Sequence, residues 1–314
     1  MSSSVIPSSR KWKVLIIRAG ALGDTLMLLP ALAHLSEQAD IIVAGRYPGI
    51  DYLRPYVKKC MDMDRSGFHR IFMDESLHYA YPLLQEVDHV AAFTLAAGDI
   101  RRNLGCFFPG ARIHVFPPFP PSGLKIHIAL YMAGSLAAAG LPIDARKCMD
   151  EAFRKPTLHR DGSSRNRANI VLHPGSGSAR KNYPPRLWIE LMEALLMSPL
   201  IKFHEMILLV GPAEIPCLPV FKESRSKLNF RLNICPERDE LISILNQAVL
   251  YVGHDSGITH LASMLGAPVI ALFRDSSIDQ WRPLGPRVRV IRSKKRSSDV
   301  IREIMDEVVS LAVF

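Results

Sequence analysis

The sequence predicts an α/β protein built from two Rossmann-like, doubly wound parallel-sheet domains in tandem. Short runs rich in β-branched residues alternate with stretches of helical spacing along most of the 314 residues. Those runs are apolar throughout rather than alternating, as in strands covered on both faces. One polar, aperiodic stretch near the middle divides the chain, which is long enough for two separate cores.

In order, Lys13–Arg18 reads as the first strand, followed by the turn Ala19-Gly20-Ala21-Leu22-Gly23-Asp24. A helix is expected over 25–35 from the spacing of Leu28, Leu29, Leu32 and Leu35, and Asp40–Ala44 completes a βαβ unit. Arg70–Phe72, His89–Phe93 and Ala111–Phe116 read as further strands. Ile126–Leu141 is interrupted by His127, Gly134, Ser135 and Gly140, so it reads as a buried helix and not a bilayer span. The stretch Asp161-Gly162-Ser163-Ser164-Arg165-Asn166-Arg167 is the expected linker, giving domains 1–160 and 161–314.

Beyond it, strands are expected at Asn169–Leu172, Glu205–Val210, Arg231–Ile234, Leu250–Gly253, Val269–Phe273 and Val288–Ile291. The intervening helices are Pro185–Met197, Asp239–Ala248 and Ile258–Leu265. A last amphipathic helix, Val300–Val313, is free to pack back on the first domain. The natural ligand site of such sheets lies at the carboxyl ends of their strands, in a cleft.

Composition narrows the function. Apolar residues make up 48% and charged residues 22%, as in soluble globular proteins. The Ser-rich start, Met1–Arg10, lacks the apolar core of a signal peptide and reads as a disordered lead-in to a cytoplasmic protein. Five scattered cysteines (Cys60, Cys106, Cys148, Cys217, Cys235) form no Cys-x-x-Cys pair, which argues against disulfides and zinc. The formal charge is +9, but no zinc-finger or aromatic-basic RNA motif is present, so nucleic acid is not an expected partner. Lys58-Lys59, Arg101-Arg102 and Lys294-Lys295-Arg296 lie far apart in the chain, and an anionic substrate or membrane surface accounts for the excess equally well.

Four polar clusters fall at expected strand ends. His254-Asp255-Ser256-Gly257-Ile258-Thr259-His260 sits where a strand ends and a helix begins, a place that suits phosphate. Asp255 or Ser256 can cap that helix, and Gly257 admits a close ligand; equally, the pair can serve only as caps and His260 only as packing. The loop His173-Pro174-Gly175-Ser176-Gly177-Ser178-Ala179-Arg180-Lys181-Asn182-Tyr183-Pro184 exposes backbone amides beside two cations, a cradle for a diphosphate or else a flexible basic loop. Gly23-Asp24-Thr25 opens the first helix, with Asp24 as an N-terminal cap or as a proton acceptor beside a cleft. Glu214, after Gly211, suits a ribose contact or a plain loop carboxylate. Neither Gly-x-Gly-x-x-Gly, nor the P-loop, nor Gly-x-Ser-x-Gly occurs at these places.

Taken together, the clusters resemble the glycosyltransferase family 9 heptosyltransferases. The matching stretches are Ala21-Leu22-Gly23-Asp24 with Leu29-Pro30-Ala31-Leu32, His173-Pro174-Gly175 with Lys181 and Tyr183-Pro184, and Asp255-Ser256-Gly257 with His260-Leu261-Ala262. They span roughly residues 13 to 290, and it is their order and spacing that are specific.

The resemblance implies a GT-B fold, with two Rossmann-like domains facing a central cleft, the acceptor on the first and the nucleotide sugar on the second. It implies inverting, metal-independent transfer of a heptose, from ADP-heptose, to the lipopolysaccharide core or another anionic glycan. No cofactor beyond that co-substrate is expected, and the location would be cytoplasmic, peripheral to the inner face of the inner membrane. Asp24 would be the general base, with Gly23 and Thr25 beside it. Lys181, Gly175 and Ser176 would hold the diphosphate, and Asp255, Ser256, Gly257, Ile258 and His260 would form the nucleotide-sugar loop. Glu214 would contact the ribose. One departure stands out: where the family usually carries Gly-x-Thr-Asp-Pro, this chain has Arg274-Asp275-Ser276-Ser277-Ile278-Asp279, which leaves donor identity open. A sugar-nucleotide epimerase or hydrolase, and a nucleotide-binding protein without turnover, are the alternatives.

Overall fold

A computed structural model describes residues 10–73, 87–95, 97–158, 168–199, 202–292 and 297–312. The chain divides into two units, Met1–Leu124 with Ala129–Cys148, and Lys125–Ile128 with Met149–Phe314.

The first unit is laid out on β1 (Trp12–Arg18), α1 (Leu22–Leu26), α2 (Leu29–Leu35), β2 (Ala39–Gly45), β3 (Lys59–Asp62), β4 (His89–Phe93), α3 (Ala97–Phe107), β5 (Arg112–Phe116) and α4 (Ile128–Ala138). Among the described residues its strands form one parallel sheet in the order β3-β2-β1-β4-β5. Val14, Leu15, Ile16 and Ile17 of β1 are all buried, as the unbroken apolar run requires of a strand covered on both faces.

Two expectations need correction here. The single helix over 25–35 is two short helices, because the Pro30 ring would collide with the carbonyl of Leu26 in a continuous helix; Pro30 sits instead in the first turn of α2, where no N–H is needed. Arg70–Phe72 is not a strand but part of a 3-10 turn, Phe68–Phe72, entered through Gly67 at φ 78°. Phe68 and Ile71, three residues apart and both fully buried, carry the helical spacing that decides it.

The chain passes from one unit to the other through α5 (Ala145–Arg154), and the expected linker, 161–167, lies outside the described residues. The second unit contains β6 (Asn169–His173), α6 (Pro185–Met197), β7 (Glu205–Val210), α7 (Leu218–Ser224), β8 (Arg231–Ile234), α8 (Arg238–Asn246), β9 (Ala248–His254), α9 (Gly257–Met264), β10 (Val269–Phe273), α10 (Ile278–Trp281), β11 (Val288–Arg292) and α11 (Ser297–Ala312). Its described strands form a parallel sheet, β11-β10-β9-β6-β7-β8. The core gathers around Trp188, with Leu172, Leu191, Phe221, Val252 and Leu272. On α11 the buried residues Val300, Ile304 and Val308 belong to this core. No described helix is long and apolar enough to cross a membrane.

Both sheets are doubly wound, and each has one place where the strand order reverses. In the first it lies between β1 and β4, in the second between β6 and β9. Loops leaving the carboxyl ends there splay to opposite faces and open a crevice, the general ligand position in such sheets. The loops that carry Asp24, Lys181 and Asp255 leave from β1, β6 and β9 among those strands.

Candidate active site

In the second unit the loops after β6 and β9 are neighbours because their strands pair, with His173 opposite Gly253. Ser256 is the N-cap of α9, its hydroxyl accepting from the Thr259 amide at 3.3 Å. Thr259 is fully buried; its hydroxyl donates to the His254 carbonyl and lies 3.0 Å from the Tyr251 hydroxyl. The helix start is thus fixed, and the amides of Gly257 and Ile258, in its partly exposed first turn, have no use within the helix.

Asp255 stands just before that turn, 4% exposed, and Lys181 Nζ donates to its Oδ2 at 2.6 Å. His260 Nε2 is 3.4 Å from Oδ1 on the other side. Burial pushes the Asp255 carboxyl up, but His260, Lys181 and Ser276 outweigh it and hold it well below the usual carboxylate range. Asp255 is therefore an anion that anchors a half-exposed lysine beside the helix start.

The β6 loop is held from several sides. The Tyr183 amide donates to His254 Nε2 at 2.8 Å, so this nitrogen carries no proton. His254 is fully buried between the Tyr183 ring and the edge of Trp188, and burial brings its pKa down to about 3. Arg274 donates to the Asn182 carbonyl and lies 4.7 Å over the Tyr183 ring. Arg274, at the end of β10, thus clamps the loop that carries Lys181. Ser176 is buried, its Oγ 2.6 Å from Asn182 Oδ1 and 2.9 Å from the Ser178 carbonyl, so the hydroxyl is used inside its own loop.

Glu214 lies in the 3-10 turn Pro212–Cys217 and is buried, not displayed on a loop. Its Oε2 accepts from the Gly211 amide at 2.9 Å and lies 3.7 Å from His173 Nε2. Burial raises its pKa, and His173 and the Gly211 amide more than reverse that. Gly175 makes the packing feasible, since a Cβ there would stand 1.8 Å from the Glu214 carboxyl carbon. Lys181, Gly175, Ser176, Glu214, Asp255, Ser256, Gly257, Ile258 and His260 are therefore brought together. Lys181 and the α9 amides form the accessible part, while Glu214, Ser176 and His260 support it from behind.

In the first unit, α1 begins directly beyond β1, at the switch point. Asp24 is its third residue and not the N-cap, a place that Ala21 takes; its Oδ2 reaches back to accept from the Ala21 amide at 3.0 Å. The side chain keeps 21% of its surface open, so that bond does not use the whole carboxylate. Thr25 is fully buried against Gly49, its hydroxyl 3.4 Å from the Gly20 carbonyl, and Gly23 is partly exposed in the same turn.

Sequence reasoning missed Arg18, which is 2% exposed with Nη2 3.9 Å from Asp24 Oδ1, along with the bracing roles of His254, Asn182 and Arg274. A charged residue ending an otherwise apolar strand was the available signal for Arg18. Among the described residues, no three His, Cys, Asp or Glu side chains are grouped as metal ligands.

Residues 128–307 match Glycosyltransferase family 9 (heptosyltransferase). Lipopolysaccharide heptosyltransferase 1 of Campylobacter coli is 30% identical over 131 residues, covering 40% of this chain and 37% of that protein, so the chain matches little more than a third of that relative. The solved structure of E. coli heptosyltransferase WaaC with ADP superposes with a TM-score of 0.66 at 16% identity, over 94% of this chain and 99% of that one. E. coli ADP-heptose lps heptosyltransferase II gives 0.66 at 18% identity, over 96% and 98%. At such identities the likeness is one of fold, and that fold is GT-B. With its family motifs brought together at the reversal of each sheet, the chain belongs to glycosyltransferase family 9, the heptosyltransferase family.

Proposed function

We propose that this chain is an inverting, metal-independent glycosyltransferase that moves heptose from ADP-heptose to a lipopolysaccharide inner-core acceptor. Asp24 acts as general base; the first domain (1–160) takes the acceptor and the second (161–314) the donor. The observation that carries this reading is the Lys181–Asp255 pair beside the uncommitted amides of α9, at the reversal of the second sheet. A fixed ammonium and a helix start together suit a diphosphate. The WaaC structures hold ADP and ADP-2-deoxy-2-fluoro heptose, which supports an ADP-linked donor.

Asp24 removes the proton from the acceptor hydroxyl as that oxygen attacks the anomeric carbon. The bond to the β-phosphate oxygen breaks on the opposite face, and ADP leaves. Negative charge grows on the leaving diphosphate, so Lys181 and the Gly257 and Ile258 amides stabilise the transition state more than the bound donor. A loss of one such donor slows the reaction by about 100-fold or more. Sequence charge of +9 suits an anionic glycan and peripheral contact with an anionic membrane in the cytoplasm; nucleic acid is no part of this proposal.

The test combines the donor, ADP-heptose, with and without heptose-free core lipopolysaccharide. Transfer that requires the acceptor, abolished in Asp24→Asn with ADP binding intact, is the expected result. Donor consumed without any acceptor would instead make the chain an epimerase or hydrolase. An Asp24→Asn variant with full turnover would remove Asp24 as the base.

A further inference from the structure

We propose that Arg18 is a positioning residue for the Asp24 carboxylate, kept at the end of β1 although its burial there works against stability. The inference rests on the reading of Asp24 as the base and adds to it.

Arg18 follows Val14 and Ile16 on one face of β1, a series in which an apolar residue would continue the core. Its guanidinium is buried and lies 5.0 Å over the Phe119 ring. One nitrogen, Nη1, donates to the Pro118 carbonyl at 2.8 Å. Nε and Nη2 are buried and, among the described residues, have no hydrogen-bond partner. Unpaired donors on a buried cation are among the most expensive arrangements in a protein interior, and native structures keep few of them. Burial lowers the Arg18 pKa, with the Asp24 charge opposing. Folding alone would favour an apolar residue of similar length, as replacements of buried ionic groups often show.

What this arrangement provides is a fixed cation behind Asp24. Nη2 stands 3.9 Å from Asp24 Oδ1, too far for a hydrogen bond but close enough for direct attraction. Oδ2 is held by the Ala21 amide, so the carboxylate is gripped at one oxygen and faced by positive charge at the other. Gly20 lets the three groups close up: a Cβ there would stand 2.5 Å from Asp24 Cβ and 3.3 Å from Arg18 Nε. The anchor on Pro118 and Phe119 keeps the guanidinium from swinging away. Arg18 touches no substrate in this account; it acts through Asp24.

Such a role separates stability from rate. Arg18→Met keeps the stem and most of the volume but removes the charge and the unpaired donors. It should melt at or above the wild-type temperature and bind ADP with unchanged affinity. Turnover at saturating substrate should fall by about 100-fold, the usual effect of a misplaced catalytic group, with little change in acceptor KM. Arg18→Lys, which restores the charge without the planar fork, should recover part of kcat. An Arg18→Met protein with wild-type kcat, or one that melts well below wild type, overturns the proposal. Asp24→Asn, measured alongside, keeps the two readings apart. If it is inactive while Arg18→Met is fully active, only the role of Arg18 falls. If it turns over normally, the base assignment falls and the Arg18 proposal with it.

Discussion

Lys181 Nζ and Asp255 Oδ2 lie 2.6 Å apart, joining the loops after two neighbouring strands across 74 residues of sequence. Asp255 is buried and Lys181 is not, so the carboxylate serves the lysine by fixing it next to the start of α9. Lys181→Ala should weaken ADP binding by about 10- to 100-fold, the range for a hydrogen bond to a charged group. The same change removes the cation that faces Asp255 and leaves its anion, which adds repulsion toward a diphosphate. Isothermal calorimetry with ADP measures this, and an unchanged affinity would falsify the phosphate role of Lys181.

Gly175 and Glu214 form a second relationship with a direct test. A Cβ at 175 would overlap the Glu214 carboxyl carbon at 1.8 Å, so Gly175→Ala must displace Glu214 from the Gly211 amide and from His173. Overpacking of this kind destabilises by about 1–3 kcal/mol. In a Glu214→Ala background the space exists, and the same glycine change should cost far less. Urea unfolding of the four proteins of this cycle gives the coupling; equal effects in both backgrounds would mean that Glu214 is not what Gly175 accommodates.

Ser256 tests the start of α9. Its hydroxyl accepts the Thr259 amide and lies 3.4 Å from His173 Nδ1, so Ser256→Ala removes a cap and a tie to the β6 loop together. The expected loss is about 1 kcal/mol in urea unfolding, with Ser256→Thr near wild type. A loss confined to ADP affinity, with no change in unfolding, would count against the capping role.

Much of this was legible in the sequence because the physics was local. Fully buried parallel strands read as unbroken apolar runs, and Val269–Phe273 and Pro185–Met197 have the predicted bounds. The motif loops were legible because they are polar where their flanks are not. What the sequence hid depends on pairing at a distance. Nothing near Arg274 shows that it reaches the Asn182 carbonyl, and nothing near Glu214 shows that Gly175 receives it. Arg18 was read as the end of a strand, and only its missing hydrogen bonds set it apart. Phe68–Phe72 failed for the opposite reason, because a three-residue apolar run is too short to show its period.

Two buried histidines predict how stability responds to acid. His254 accepts the Tyr183 amide and has its pKa lowered by burial to about 3; His127, whose Nε2 lies 2.8 Å from the Arg282 carbonyl, is lowered by burial to about 4. Both ordinarily titrate near 6.5 and regain that value on unfolding. Between 6.5 and the folded values the unfolded chain therefore binds more protons than the native one, so acid favours unfolding there. The stability in question is complete above 6.5 and drains away as pH falls toward 4. Each histidine contributes a slope of about 1.4 kcal/mol per pH unit in that window. Asp255 and Glu214, both held below the ordinary carboxylate range, act in the same direction, but only once pH drops below their unfolded values near 4. Unfolding free energies from urea titrations at pH 7, 6 and 5 should therefore fall steeply below 6.5, before any carboxylate is involved. His254→Gln offers an acceptor in roughly the place of Nε2 without a group that titrates, and the slope between pH 6 and 5 should drop by about one proton's worth. If the variant and the wild type lose stability in parallel over that range, His254 is not neutral in the folded protein, and the bond from Tyr183 must be assigned differently.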